Sequence, residues 1–273
     1  MDSFKKGFFI ALLILKDYLS DIVISGGWVP FIYYHYLLSN PDKEPLRTKD
    51  IDLVVPEKLK VRGKTIDEIL KGRGFRPVFK SLDTPPVISY EGNIEGCDIE
   101  IEFLTTQKGP GGKKVIKVQK GLHAQALRFI SLLIENTLLI EIYDFKLANE
   151  EALKIKVPTP GAFIFQKGLV FTRRTRKFKK AKDLYYIFDI LSNCQELHSY
   201  IYNEFARFKE AYPSWYNKFI SNLNTYFSEV TSKGVVLVQT QRPGDAFPHL
   251  TDEQFKQYVL GSFKEFIKKL ETL

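Results

Sequence analysis

The sequence SGGWVP at residues 25–30 and the sequence RTKDIDLVV at residues 47–55 predict the fold of this chain. The first follows an apolar run at residues 22–24, so its two glycines stand between a short strand and a helix. The second reads as a strand in which Asp50 and Asp52 point to the same face, because successive side chains of a strand alternate. Paired carboxylates beside an anion-accepting turn suit the binding of Mg²⁺ on a nucleoside triphosphate.

The glycine pair, Gly26 and Gly27, suits a turn that approaches phosphate groups. Without a Cβ atom the backbone can come close to a phosphate, and the N–H groups of the following helix point towards it. The pair lacks the Gly-Lys-Ser/Thr ending of a P-loop and the three glycines of the dinucleotide fingerprint. A P-loop or Rossmann enzyme is therefore not expected. Taken alone, an Asp-x-Asp strand is more typical of a solvated surface.

A third group of acidic residues lies at residues 98–105, with the sequence DIEIEFLT. Asp98, Glu100 and Glu102 share one face of the strand that this pattern predicts. An amphipathic strand with a solvated acidic face has the same pattern. Carboxylates so placed repel one another unless a cation or a basic side chain neutralises them.

The glycine pair together with Arg-Thr-x-Asp-x-Asp at residues 47–52 resembles the nucleotidyltransferase-fold superfamily that includes DNA polymerase β. Within it, the chain is most similar to minimal prokaryotic nucleotidyltransferases and the AbiEii-type toxins. The resemblance implies an α/β (α+β) fold, with an N-terminal mixed sheet flanked by helices and a helical C-terminal domain. It also implies that Asp50, Asp52 and a third carboxylate hold two Mg²⁺ (or Mn²⁺) ions. Glu102 is the favoured third carboxylate and Glu100 the alternative.

The resemblance also implies an NTP as substrate, with an RNA, protein or small-molecule acceptor, and an antitoxin as a further partner. The predicted nucleotide-binding residues of the N-terminal part are Ser25, Gly26, Gly27, Thr48 and Lys49.

The sequence PTPGAF at residues 158–163 and the basic stretch that follows resemble the helical domain of the same relatives. Lys167 is placed to reach a triphosphate, and Asp183 to orient Lys167 or Lys180 through a charge-assisted hydrogen bond. For Lys180 the alternative is a solvated charge run, which is what most such runs are.

Composition adds broad limits. The chain of 273 residues has a net charge of +8, which favours acidic partners such as nucleotides or nucleic acid. Its 2 cysteines have no metal-ligand spacing and fit a reducing, cytoplasmic compartment. The apolar run at residues 8–15 is too short to span a bilayer, so no membrane association is expected.

Hydrophobic periodicity and turn residues predict the elements. The expected strands cover residues 22–25, 50–55, 78–80, 87–90, 97–104, 115–118 and 138–143. The expected helices cover residues 4–19, 27–38, 65–70, 127–134, 161–171, 181–191, 196–208, 215–230 and 251–270. A domain boundary is predicted at residue 158, which gives a catalytic domain over residues 1–157 and a helical domain over residues 158–273.

These observations favour an enzyme that transfers an NMP from an NTP to a hydroxyl group by a two-metal mechanism. The alternative is a catalytically inactive protein of the same fold that binds nucleic acid or another partner. Metal-dependent binding of an NTP separates the two.

Overall fold

A computed structural model describes residues 3–46, 48–80, 86–109, 114–146 and 152–273, apart from the side chains of residues 3 and 144–146. Arg47 of the Arg-Thr-x-Asp-x-Asp motif lies outside these residues. The chain divides into two compact units, Met1–Thr159 and Pro160–Leu273.

The first unit is built on one mixed sheet of nine described strands. They are β1 (Val23–Ser25), β2 (Asp50–Val54), β3 (Arg76–Phe79), β4 (Ile88–Ile94), β5 (Cys97–Thr106), β6 (Val115–Gln119), β7 (Leu122–Leu127), β8 (Thr137–Lys146) and β9 (Ala152–Pro158). Their order is β3-β4-β5-β2-β1-β9-β8, while β7 pairs with β5 and β6 with β7. The pairs β1–β9, β2–β5 and β5–β7 are parallel, and the other pairs are antiparallel.

Short helices complete this unit. They are α1 (Ser3–Ile14), α2 (Trp28–Ile32), α3 (Ile66–Gly72) and α4 (Ser131–Glu135), with a 3₁₀ turn at Lys16–Tyr18 and a π-helical turn at Tyr33–Leu37. Helix α3 begins with a capping box in which the side chains of Thr65 and Glu68 accept each other's backbone N–H groups.

The alternation of β2 and β5 gives the sheet one apolar and one polar face. Ile51, Leu53 and Ile101 are fully buried on the apolar face, whereas the carboxylates of both strands point the other way. Helix α1 packs on the apolar face through Gly7, where a Cβ atom would lie 3.2 Å from Cδ1 of Ile99. Burial of this face leaves the polar face to carry the chemistry.

The second unit contains only helices among its described elements. They are α5 (Pro160–Val170), α6 (Lys177–Asn193), α7 (His198–Ala211), α8 (Pro213–Tyr226), α9 (Lys233–Gln239) and α10 (Asp252–Glu271), with 3₁₀ turns at Phe171–Arg173 and Gln195–Leu197. Its core is aromatic: Phe165 contacts Phe205, Phe208 and Phe219 at ring-centroid distances of 5.2–5.5 Å. Such pairs add to the free energy gained from burying the rings.

The predicted fold class is confirmed, with a mixed sheet and helices followed by a helical region. The helix predicted over residues 127–134 was wrong in its first part, because Leu127 ends β7 and α4 starts at Ser131. Strand β7 was missed because two of its buried positions hold only alanine, which gives a weak apolar signal. Strand β9 and helix α9 were also missed. In β9, Leu153, Ile155 and Val157 do alternate with polar positions.

The helix predicted over residues 4–19 ends as an α-helix at Ile14 and continues only as the 3₁₀ turn at Lys16–Tyr18. The second half of the helix predicted over residues 27–38 is π-helical. No helix within the described ranges has the length and apolar character needed to cross a bilayer.

Candidate active site

The glycine turn lies directly against one of the paired acids. Gly26 has a φ of +69°, in the left-handed region that favours glycine, and a Cβ atom there would lie 1.9 Å from Oδ2 of Asp52. Ser25, the residue before it, is the antiparallel strand partner of Asp52. The turn therefore has no room for a side chain at residue 26, because the carboxylate of Asp52 occupies that space.

The two acidic strands are neighbours in the sheet. In the parallel pair β2–β5, Asp52 lies opposite Glu102 and Asp50 lies opposite Glu100. Residues so paired point to the same face from strands about 4.8 Å apart. Strand spacing and rise together place Cα of Asp50 about 8 Å from Cα of Glu102. Four carboxylates thus form two rows on the polar face.

Both rows continue across β4 to β3 at the edge of the sheet. Glu102 pairs with Ser89, which lies opposite Val78, and Glu100 pairs with Glu91, which lies opposite Arg76. The polar face therefore extends from the glycine turn to a basic edge. Its outer part forms an open groove lined by Lys49, Arg76, Glu91, Asn93, Asp98 and Glu100.

Lys80 forms ion pairs with two carboxylates of one row. Its ammonium lies 2.7 Å from a carboxylate oxygen of Glu100 and 3.2 Å from one of Glu91. Burial by itself would raise the pKa of Glu100. The hydrogen bond and charge of Lys80 outweigh this effect, with help from Ser89 and Glu102, so that the pKa lies below its usual range. The same hydrogen bond raises the pKa of Lys80.

Lys80 was not among the predicted site residues. The sequence does indicate that Lys80 shares the polar face, because it follows Arg76 at even spacing. Only the pairing of β3 with β4 shows that it lies near the acids.

The donor set of this face fits Mg²⁺ or Mn²⁺. Asp50, Asp52 and Glu102 offer only carboxylate oxygens, the ligands that these hard cations take. The side chains are not gathered around a common point: in the part of the chain that the structure describes, no three His, Cys, Asp or Glu residues converge closely enough to hold an ion. The fit therefore rests on strand register and on the cradle at Gly26.

Two further predicted residues precede β2. Thr48 is buried and borders a small cleft with Gly27, Trp28 and Phe31, while Lys49 is exposed at the groove. The structure thus places Ser25, the two glycines, Thr48 and Lys49 around the acidic strands or the turn that faces them.

In the second unit the structure brings Lys167 and Asp183 together. Both are buried, with Nζ of Lys167 3.1 Å from Oδ1 of Asp183 and Nε of Arg174 2.7 Å from Oδ2. Burial acts to raise the pKa of Asp183, but the charges and hydrogen bonds of Lys167 and Arg174 keep it below its ordinary value. Lys180 instead directs its ammonium to the hydroxyl of Tyr226, 3.4 Å away.

A mixed sheet that carries a glycine turn beside paired acids has the architecture of a nucleotidyltransferase. A nucleotidyltransferase family profile matches residues 18–207. This chain therefore belongs to the nucleotidyltransferase family.

The chain is also similar to a solved structure described as an antigenic nucleotidyltransferase-like protein from Paracoccidioides brasiliensis. The identity is 18%, and the match covers 78% of this chain and 90% of that one. The TM-score of 0.37 is too low to support a conclusion about this chain. No curated protein matches it.

We expect Gly26→Ala to abolish Mg²⁺-dependent NTP binding, because the new methyl group would displace the carboxylate of Asp52. The matched control is Gly63→Ala, since Gly63 also has a positive φ, +72°, but has open space around its Cβ position. Both variants should lose about 1–2 kcal/mol of stability from the left-handed backbone. Calorimetric titration and urea unfolding measure the two effects. Equal NTP binding by the two variants would contradict the proposed cradle.

We expect Asp183→Asn to destabilise the protein by about 3 kcal/mol, because it leaves the buried ammonium of Lys167 without its counter-charge. Adding Lys167→Met should recover most of that loss. Urea unfolding of both single variants and the double variant gives the coupling. A loss below about 1 kcal/mol for Asp183→Asn would show that the pair is not a structural anchor.

The same pair sets a pH dependence. The folded-state pKa of Asp183 lies below its unfolded value, so the contribution of the ion pair is complete above a pH of about 4 and is lost as the pH falls through the folded-state pKa. The difference in stability between wild type and Asp183→Asn should therefore disappear in strong acid.

Proposed function

We propose that this protein transfers an NMP from an NTP to an acceptor hydroxyl, with two divalent ions held by Asp50, Asp52 and Glu102. The observation that carries the proposal is the position of the glycine turn. Gly26 leaves no space for a side chain above Asp52, and Asp52 lies in register with Glu102. Backbone groups suited to binding phosphate thus lie next to carboxylates suited to binding cations.

In the proposed reaction the acceptor oxygen attacks the α-phosphorus while the bond to the β-phosphate breaks and pyrophosphate leaves. The bound ions would activate the hydroxyl and stabilise charge on the leaving group. Gly26 and Gly27 hold the triphosphate with backbone groups, and Ser25, Thr48 and Lys49 surround that position. Glu102 is placed to accept the proton of the attacking hydroxyl.

We infer that the third carboxylate is Glu102, and the support comes from the environments of the two candidates. Glu100 already shares Lys80 with Glu91, so a cation bound to Glu100 would compete with an ammonium at 2.7 Å. Glu102 lies opposite Asp52, on the row that ends at Ser25 and the glycine turn. The positive charge of Lys80 then reduces the electrostatic repulsion between Glu100 and the three proposed ion ligands, Asp50, Asp52 and Glu102.

Nucleotide contacts by Lys167, Lys180 and Asp183 stay predictions, as do an antitoxin partner and a cytoplasmic location. The burial of Lys167 against Asp183 supports a structural role for that pair.

The first test is isothermal titration calorimetry with ATP, GTP, CTP and UTP, each with and without Mg²⁺. We expect Mg²⁺-dependent binding that Asp52→Asn weakens by about 100-fold, because the variant removes a carboxylate from the proposed ion site. Lys71→Gln, which removes a charge from the exposed end of α3, is the control and should bind as wild type does. Absence of metal-dependent binding would favour the alternative, an inactive protein that binds a partner.

A second test separates the two candidate acids. With a non-hydrolysable NTP analogue, electron paramagnetic resonance should count two bound Mn²⁺ ions in wild type and in Glu100→Gln, but one in Glu102→Gln. Glu102→Gln is expected to keep NTP binding, because only the acceptor-side ion depends on that carboxylate. The reverse pattern would assign the third position to Glu100.

A further inference from the structure

The second unit contains a pocket whose charged lining residues are all basic. It is a cleft of about 410 Å³ between the start of α6, the end of α8 and the start of α9. Its lining residues are Thr175, Lys177, Lys180, Tyr226, Thr231, Lys233, Val236 and Leu237.

Three lysines of this pocket form no salt bridge with any described residue: Lys177, Lys180 and Lys233. The ammonium of Lys180 contacts the hydroxyl and the ring of Tyr226. Three neighbouring ammonium groups repel one another, so a cleft that brings them together gains stability from a bound anion. The hydroxyl groups of Thr175 and Tyr226 add donors for anionic oxygens, whereas that of Thr231 is donated to a carboxylate oxygen of Glu229, 2.9 Å away.

The positive charge continues beyond the pocket. Arg173, Arg176 and Lys179 are exposed beside it and form no salt bridge within the described ranges. Asp183, the acidic residue that follows this stretch on α6, is already bound to Lys167 and Arg174. A strip of charge longer than one phosphate fits a chain of repeated phosphates better than a free nucleotide.

An exposed aromatic residue is next in the sequence to a lysine of the pocket. Phe178 on the first turn of α6 is 62% exposed, between Lys177 and Lys179. Exposed aromatic rings beside basic residues stack on unpaired bases, which duplexes do not offer.

We propose that this pocket binds the phosphate backbone of a single-stranded nucleic acid, with Phe178 as a stacking platform for a base. The inference deepens the proposed function, because a bound strand is the acceptor that the reaction requires. Binding of the strand itself does not depend on catalysis.

The test measures binding of a fluorescein-labelled single-stranded RNA of about 12 nucleotides by fluorescence anisotropy over a range of salt concentrations. The pocket variant is Lys177→Gln/Lys180→Gln/Lys233→Gln. We expect its Kd to rise at least about tenfold at ~0.1 M salt, and the slope of log K against log salt to fall in magnitude by about 2, from the loss of three phosphate contacts on a single strand. Phe178→Ala should weaken binding with no change in slope.

The matched control removes the same charge from exposed lysines of the same unit outside the pocket, as Lys218→Gln/Lys264→Gln/Lys268→Gln. This control should change Kd by less than about twofold. Equal weakening by both triple variants would overturn the proposal, because the effect would then come from net charge. Circular dichroism checks that each variant is folded.

Two further arms separate this proposal from the reaction and from a free nucleotide. Asp52→Asn should lose Mg²⁺-dependent NTP binding and keep RNA binding, so that failure of one activity leaves the other testable. Conversely, the double variant Lys177→Gln/Lys233→Gln, which leaves Lys180 in place, should keep calorimetric NTP binding. Loss of NTP binding together with intact RNA binding in this double variant would assign the pocket to the nucleotide and overturn the proposal.

Discussion

The close approach of the Gly26 backbone to the carboxylate of Asp52 is the constraint on which the candidate site depends. A Cβ atom at residue 26 would lie inside the contact distance of Oδ2 of Asp52, so the turn and the acid occupy positions that exclude any side chain between them. The antiparallel pairing of β1 with β2 fixes both ends of this contact, because Ser25 and Asp52 are strand partners. The backbone that we propose to bind phosphate and the carboxylate that we propose to bind a cation are thereby held at one place by sheet hydrogen bonds.

Electrostatic repulsion is the second constraint on this face. Asp50, Asp52, Glu100 and Glu102 lie on two adjacent strands, and such a group costs free energy unless positive charge is near. Lys80 supplies part of that charge from the edge of the sheet and lowers the pKa of Glu100. The remaining acids are Asp50, Asp52 and Glu102, which the proposed divalent cations would neutralise. Acidic residues of the same strand thus differ in role because their neighbours differ.

The basic residues of the second unit lie in two kinds of environment. Lys167 is buried and paired with Asp183, an arrangement in which the partner offsets the cost of removing an ammonium from water. Lys177, Lys180 and Lys233 line an open cleft that has no carboxylate in its lining. A charge that is already neutralised inside a core stabilises the fold, whereas charges gathered without a partner remain available to a ligand. The sequence places Lys167, Lys177 and Lys180 in one basic region and does not separate the buried lysine from the two that line the cleft.

The sequence by itself determined the elements of the site that are local. Glycine next to a short apolar strand indicates a close backbone approach, and alternation alone puts Asp50 and Asp52 on one face. The helical second part and the capping boxes of α3 and α10 also follow from short-range patterns, whereas the mixed sheet was implied by the resemblance to nucleotidyltransferases. Only the tertiary structure decided which residues meet across strands and helices: Asp52 with Glu102, Lys80 with Glu100, and Lys167 with Asp183. The physical reason is that register and packing depend on contacts between residues far apart in the chain, which a local pattern does not encode.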